Sequence, residues 1–343
     1  MWKEPAPCRQ HRFCPLAVSR GVHLIFLVFD YHSGGDPLPC ENARYITLET
    51  AQQVLTAEAH TAYTKGKSAL RVRLMGGDPF RRFSELRELC QWAWEKLAPL
   101  PVEFELLTTF DPARAAAFQW YSEYRDKLLL WLRCSHLSPE TVRFALQTGC
   151  GIAYQLELQR AEDAYPELSW LLDNEIPIKV QWDTSSDGLT TAAYQQYERL
   201  LKRLREHPKA AALPWVQDTL DLIYADNRLP QDTDQGKCYD TNGWAWSCPA
   251  LSHLHLHSWS MDQQALEEVT AAQPQWGLGW LCPGKALTTE DAGALLQSFR
   301  FLEYSLGIHA LHKMNDKTLD QAMKKLVLEK TAAPKSLERN DDV

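Results

Sequence analysis

Cysteine and histidine are the residues of this chain with the most chemistry to offer, at nine and eleven copies, and three of each fall between positions 238 and 282. Cys238 and Cys248 flank a turn at Gly243, and Cys282 follows in Trp280-Leu281-Cys282-Pro283-Gly284. His253, His255 and His257 alternate, so on a strand they would share one face. Thiolate with imidazole suits zinc, and three thiolates suit the remnant of an iron–sulfur centre. Cys238, Cys248, Cys282, His253 and His255 therefore form the candidate metal set. The alternative is a half-buried strand beside core cysteines. Cys90, Cys134 and Cys150 lie in apolar stretches and read as small buried hydrophobes.

Two further sites carry chemistry. Gly76-Gly77-Asp78-Pro79 offers a carboxylate beside two residues without side chains, which lets a ligand approach the backbone closely. The same four residues also make a tight strand-to-helix turn that needs no ligand. Of thirteen tryptophans, Trp244, Trp246, Trp259, Trp276 and Trp280 fall in the histidine-rich region. Aromatic side chains left exposed mark recognition surfaces, so Trp244 and Trp246 are the candidate partner-binding residues. Packing of a small extension is the alternative for most of the others.

The elements that must position these residues alternate regularly over the first two hundred positions. Strand-like runs are expected within Leu16 to Phe29 and at Leu70–Met75, Val102–Leu107, Leu128–Leu132, Ile152–Leu158 and Ile176–Trp182. Helical spacing follows each of them, at Thr47 to Tyr63, Arg82 to Leu97, after Asp111-Pro112, from Ser138 to Gly149, at Glu162–Leu172 and at Thr190–Glu206. Six strand–helix units call for a parallel sheet with helices packed on it. Periodicity alone leaves open a doubly wound sheet, a barrel or a partial barrel. In each, the active region belongs at the carboxyl ends of the strands, where Gly76 to Pro79 falls.

Composition narrows the class. At 343 residues and 45% hydrophobic content, the chain can bury a large core and carry an appendage. A net charge of −8 argues against charge-driven nucleic-acid binding. The longest apolar run, Leu24 to Phe29, is far short of the ~20 residues of a membrane span. The N-terminus lacks the clean apolar region of a signal peptide, so a cytoplasmic location is expected.

The motifs and their order resemble the radical SAM superfamily, in particular peptide and protein maturases with a SPASM or twitch extension. Leu74-Met75-Gly76-Gly77-Asp78-Pro79-Phe80 resembles that family's Gly-Gly-Glu-Pro motif after the second strand. Glu105-Leu106-Leu107-Thr108-Thr109 resembles its third strand. Val180-Gln181-Trp182-Asp183, with the helix from Tyr194 to Leu204, resembles its sixth unit, and Cys238 to Cys248 resembles the opening of the extension. The resemblance implies an α/β fold, a partial (β/α)6 TIM-like barrel over residues 15–208. It also implies a SPASM/twitch-like extension over 209–330, ahead of a polar tail at 331–343. It further implies S-adenosylmethionine held at Gly76, Gly77, Asp78 and Pro79.

One departure is decisive. Members of the family carry Cys-x3-Cys-x2-Cys after the first strand, and the best register here sets that pattern on His23, Leu27 and Asp30. Leucine cannot ligate iron, and a cluster of this type needs thiolates. The apolar run Leu24–Phe29 is then expected to fill the cluster's pocket. Cys8, Cys14 and Cys40 offer a replacement set only through an unusual loop arrangement. The expectation is a degenerate, non-catalytic member that binds a peptide precursor or a partner maturase. It needs no cofactor, although residual S-adenosylmethionine at the turn and a zinc ion or auxiliary iron–sulfur cluster at the late cysteines stay open. The competing reading is an active radical enzyme with an atypically ligated cluster.

Overall fold

The computed structural model describes residues 22–30, 45–182, 190–213 and 237–246. Six units follow one another as β1 (Val22–Asp30), α1 (Leu48–Thr64), β2 (Ala69–Gly76), α2 (Phe83–Lys96), β3 (Val102–Thr109), α3 (Ala115–Glu123), β4 (Leu128–Cys134), α4 (Pro139–Thr148), β5 (Gly151–Leu156), α5 (Tyr165–Asp173), β6 (Ile178–Trp182) and α6 (Thr191–Leu204). Local chemistry sets their ends. Thr47, Ser138 and Thr190 accept backbone N–H bonds at the N-termini of α1, α4 and α6. Gly149 closes α4 in the left-handed conformation that favours glycine, with φ 72°. The expected helix over Glu162–Leu172 splits into a 3-10 turn, Leu158–Ala164, and α5, with Pro166 in the first turn of the helix.

Sheet order decides what periodicity left open. The strands run β6-β5-β4-β3-β2-β1, all parallel and in sequence order. A doubly wound sheet reverses direction at a switch point, and this one does not. With right-handed crossovers all stepping the same way, every helix lands on one face, which is how a barrel wall is made. A short hairpin extends the wall beyond β1. Its first strand, β7 (Cys238–Tyr239), pairs parallel to β1 and antiparallel to β8 (Ala245–Trp246).

The two faces of the sheet differ in chemistry. Ile25, Leu27, Leu70, Val72, Phe104, Leu106, Leu130, Leu132 and Ile152 are buried against the helices in one continuous core. The opposite, inner face carries Phe26 and Val28 of β1, with Arg71, Arg73, Glu103, Glu105, Trp131, Arg133 and Lys179 at alternate positions of the other strands.

Candidate functional site

The Gly76 to Pro79 turn is built from contacts that leave little to chance. Gly76 has φ 97°, and a β-carbon there would lie 1.7 Å from the backbone oxygen of Asp30. Gly77 donates its N–H to that same oxygen at 2.7 Å, joining the ends of β1 and β2. Asp78 then caps the 3-10 turn Pro79–Arg82, its Oδ1 accepting from the N–H of Phe80 at 3.0 Å. Oδ1 also accepts from the Thr108 hydroxyl at 2.6 Å, and Oδ2 is paired with the Arg114 guanidinium. Arg114 in turn reaches Asp111 at 3.3 Å. Phe80 is buried and packs edge-on against Phe118, which pins the turn to α3.

Arg82 closes the base of the segment between β1 and α1. Its guanidinium donates to the backbone oxygens of Phe29 and Ile46 and lies over the rings of Phe29 and Tyr45.

A second constellation lies on the inner face and was not anticipated from the sequence. Glu105 of β3 is buried, and its Oε2 accepts from Arg73 Nε at 2.8 Å. Its Oε1 accepts from Trp131 Nε1 at 2.9 Å and from Lys179 Nζ at 3.2 Å. Burial alone would raise the Glu105 pKa, but the charges and hydrogen bonds of Lys179 and Arg73 outweigh it and hold the carboxyl down at about 2. The Lys179 ammonium also sits 5.3 Å from the Trp131 ring centroid. Gly151 makes room for that indole, since a β-carbon there would meet it at 2.4 Å. One row below, Arg71 grips Glu103 at 2.6 and 3.0 Å. The sequence signal was the alternation Arg71-Val72-Arg73 beside Glu103-Phe104-Glu105, which becomes cross-strand pairing once the register is known.

A third cluster fastens the hairpin. Glu58 of α1 is buried and accepts from Lys237 at 2.9 Å and from the Tyr239 hydroxyl, and its other oxygen lies 2.5 Å from His23 Nε2. Burial would raise the Glu58 pKa, and bonds from His23, Tyr239 and Lys237 hold it at about 2 instead. The buried Tyr239 phenol is pushed up by burial and by this same carboxylate.

Among solved structures, anSMEcpe with bound AdoMet, a radical SAM/SPASM-family enzyme, aligns over 87% of this chain and 97% of its own, with a TM-score of 0.59 and 13% identity. This is the radical SAM fold. A second structure of anSMEcpe, with bound AdoMet and the Cp18Cys peptide, aligns over 66% of this chain at a TM-score of 0.48 and 12% identity. No family profile and no curated protein matches the chain.

The radical SAM fold implies an iron–sulfur cluster and S-adenosylmethionine, and the residues can be tested against both. His23, Leu27 and Asp30 do not lie in a loop after the first strand, as the best sequence register supposed. They are part of β1 itself, whose run Val22–Asp30 pairs with β2. Leu27 packs into the helix-side core, so the run Leu24–Phe29 is barrel wall, with Phe26 and Val28 on its inner face. The post-strand position belongs to residues 31–44, where Cys40 is the sole cysteine. Among the described residues no three histidine, cysteine or carboxylate side chains are grouped to hold a metal. Burial pushes the Cys90, Cys134 and Cys150 thiols up, the latter two to about 12, the reverse of what iron ligation requires. The described residues do not fit the cluster.

For S-adenosylmethionine, the glycines keep their close-approach geometry, but both oxygens of Asp78 are engaged by protein groups. A ligand ammonium would compete with Arg114 for it.

Of the remaining candidates, Cys238 is buried in β7 beside Val28, Phe26 and Met75. Cys248, Cys282, His253 and His255 lie outside the described residues. Trp244 is exposed at 42% beyond the Gly243 turn. Trp246 ends β8 with its side chain outside the description. No helix among the described residues is long and apolar enough to cross a membrane.

Proposed function

We propose that this chain is a degenerate, non-catalytic radical SAM-like protein that binds a peptide or protein and assists a maturation system. The observation that carries the reading is a radical SAM fold in a sequence with no Cys-x3-Cys-x2-Cys anywhere along it. The saturated Asp78 carboxylate adds support. An active site that used this turn to hold an ammonium would not spend the side chain on Thr108, Arg114 and the Phe80 amide. S-adenosylmethionine should therefore give no saturable heat of binding at micromolar concentration. Calorimetry that found such binding, lost in Asp78→Ala, would reverse the reading in favour of an active enzyme.

The extension over residues 209–330 is the proposed recognition element. Its hairpin is locked to the barrel edge through Glu58, while Trp244 projects from the turn. Binding energy concentrates in a few aromatic anchors, so the Trp244→Ala, Trp246→Ala pair should weaken partner binding by about 2 kcal/mol. The fold should survive, because neither residue belongs to the six-unit core. Comparative pull-downs from native extract, with circular dichroism as the folding control, check this. A folded double variant that keeps every partner places recognition elsewhere.

A further inference from the structure

Leu146 of α4 and Trp170 of α5 are large apolar side chains left exposed on the outside of the wall. Between these helices runs an open groove of roughly 380 Å³, lined by Leu137, Pro139, Val142, Pro166, Glu167 and Trp170. Leu146 stands one turn beyond Val142 and continues the apolar surface along α4. Trp170 is 37% exposed, and its indole N–H has no acceptor among the described residues. Glu167 is the one charged side chain of the lining. Its Oε2 accepts from the Leu137 N–H at 3.2 Å, which fixes the carboxylate in place. Its Oε1 lies 3.8 Å from the exposed His136 ring, beyond hydrogen-bond reach, and 30% of the side chain stays open to solvent.

Size and charge decide what fits. A stable dimer buries about 800 Å² on each copy, more than these few side chains supply. Apolar walls with an indole N–H to spare suit an extended chain. A proline or leucine packs on the ring, and the N–H donates to a peptide carbonyl. The anchored Glu167 carboxylate complements a cation on that chain and repels an acidic segment.

We propose that the groove between α4 and α5 docks an extended peptide segment with a proline or leucine within a few residues of a lysine or arginine. The groove lies on the helix side of the sheet, several strands away from the β7–β8 hairpin. It is therefore a second recognition surface, which shares with the function argued above only the kind of partner. It does not depend on whether the chain is catalytic.

The test is selection of a displayed library of random decapeptides on the full chain, with fluorescence anisotropy to measure the affinities of the selected peptides. Enriched sequences should share the apolar-plus-basic pattern. Trp170→Ala should weaken them about tenfold or more. Glu167→Gln keeps the bond from Leu137 and should weaken them about threefold, with loss of the preference for a basic residue. Tyr63→Ala removes an exposed aromatic from α1 and should change nothing. Trp170→Phe, which removes the donor and keeps a ring, serves if the alanine variant does not fold, and should weaken binding by a smaller factor. No enrichment, a pattern without a basic residue, or equal affinity in the Trp170 variants would overturn the proposal. Peptides lost on Trp244→Ala, Trp246→Ala and kept on Trp170→Ala would overturn it too, while leaving the function argued above intact. So would a wild type that sediments as a dimer beside a monomeric Trp170→Ala chain, since a second copy would then hold the groove.

Discussion

Gly76→Ala should leave essentially no folded protein. The residue sits at φ 97°, a conformation an L side chain rarely adopts, and its new methyl would be 1.7 Å from the carbonyl oxygen of Asp30. That oxygen is backbone in β1, already receiving the Gly77 N–H, so it cannot swing aside as a side chain would. Relief requires separating the ends of β1 and β2, the most extensively paired strands of the sheet. The expected loss exceeds about 4 kcal/mol, in the range reserved for steric or backbone catastrophe. Gly77→Ala is the internal comparison. Its methyl would meet Asp30 Oδ2 at 2.7 Å, a side-chain atom that can shift, so this variant should fold with a lowered melting temperature. Soluble yield and thermal unfolding of the two variants side by side check the ranking. A Gly76→Ala protein as stable as Gly77→Ala would mean the turn is looser than described.

Glu105→Ala should cost about 3 kcal/mol, because it strands Arg73 and Lys179 on the inner face and removes the acceptor of the Trp131 indole. Urea unfolding measures the loss, and Glu105→Gln should fall between, keeping hydrogen-bond acceptance without charge. The pH dependence gives a second readout. A carboxyl held at about 2 when folded, against an ordinary 4.5, stabilises the protein above the higher value. That stability drains away as pH falls from 4.5 towards 2. Glu58 behaves the same way, since its folded value is also about 2. The wild type should therefore lose stability steeply through this window, and Glu105→Ala, carrying one fewer depressed carboxyl, should show a shallower acid limb. An unchanged acid limb would place the charge balance of the inner face elsewhere.

Much of the barrel could be read from spacing because its rules are local. The Ser138 cap and Gly149 stop of α4, Asp111-Pro112 and Thr190 each act within a few residues, and the structure places each at a helix start or end. Gly76 to Pro79 was legible for the same reason, since a strand that must turn at once into a helix draws on few residue types. What escaped depends on register or on long-range pairing. The partnership of Glu105 with Lys179 links strands three apart in the chain, and no periodicity announces it. β7 is two residues long and pairs with the first strand, so Cys238 read as a ligand by its spacing, while in the fold it is a wall residue beside Val28. The apolar run of β1 misled in another way. A run such as Leu-Ile-Phe-Leu-Val-Phe has no polar punctuation to say where a strand ends, and the cluster-motif register slid into it.

The central claim is a radical SAM fold that does not carry the radical-generating cluster, and iron analysis after anaerobic reconstitution tests it most directly. Purified chain incubated with iron and sulfide, then desalted, should retain far less than the about four irons of one full cluster and remain colourless. A brown protein holding about four irons per chain would contradict the account. It would show that cysteines outside the described residues assemble a cluster, and would favour the competing reading of an active radical enzyme.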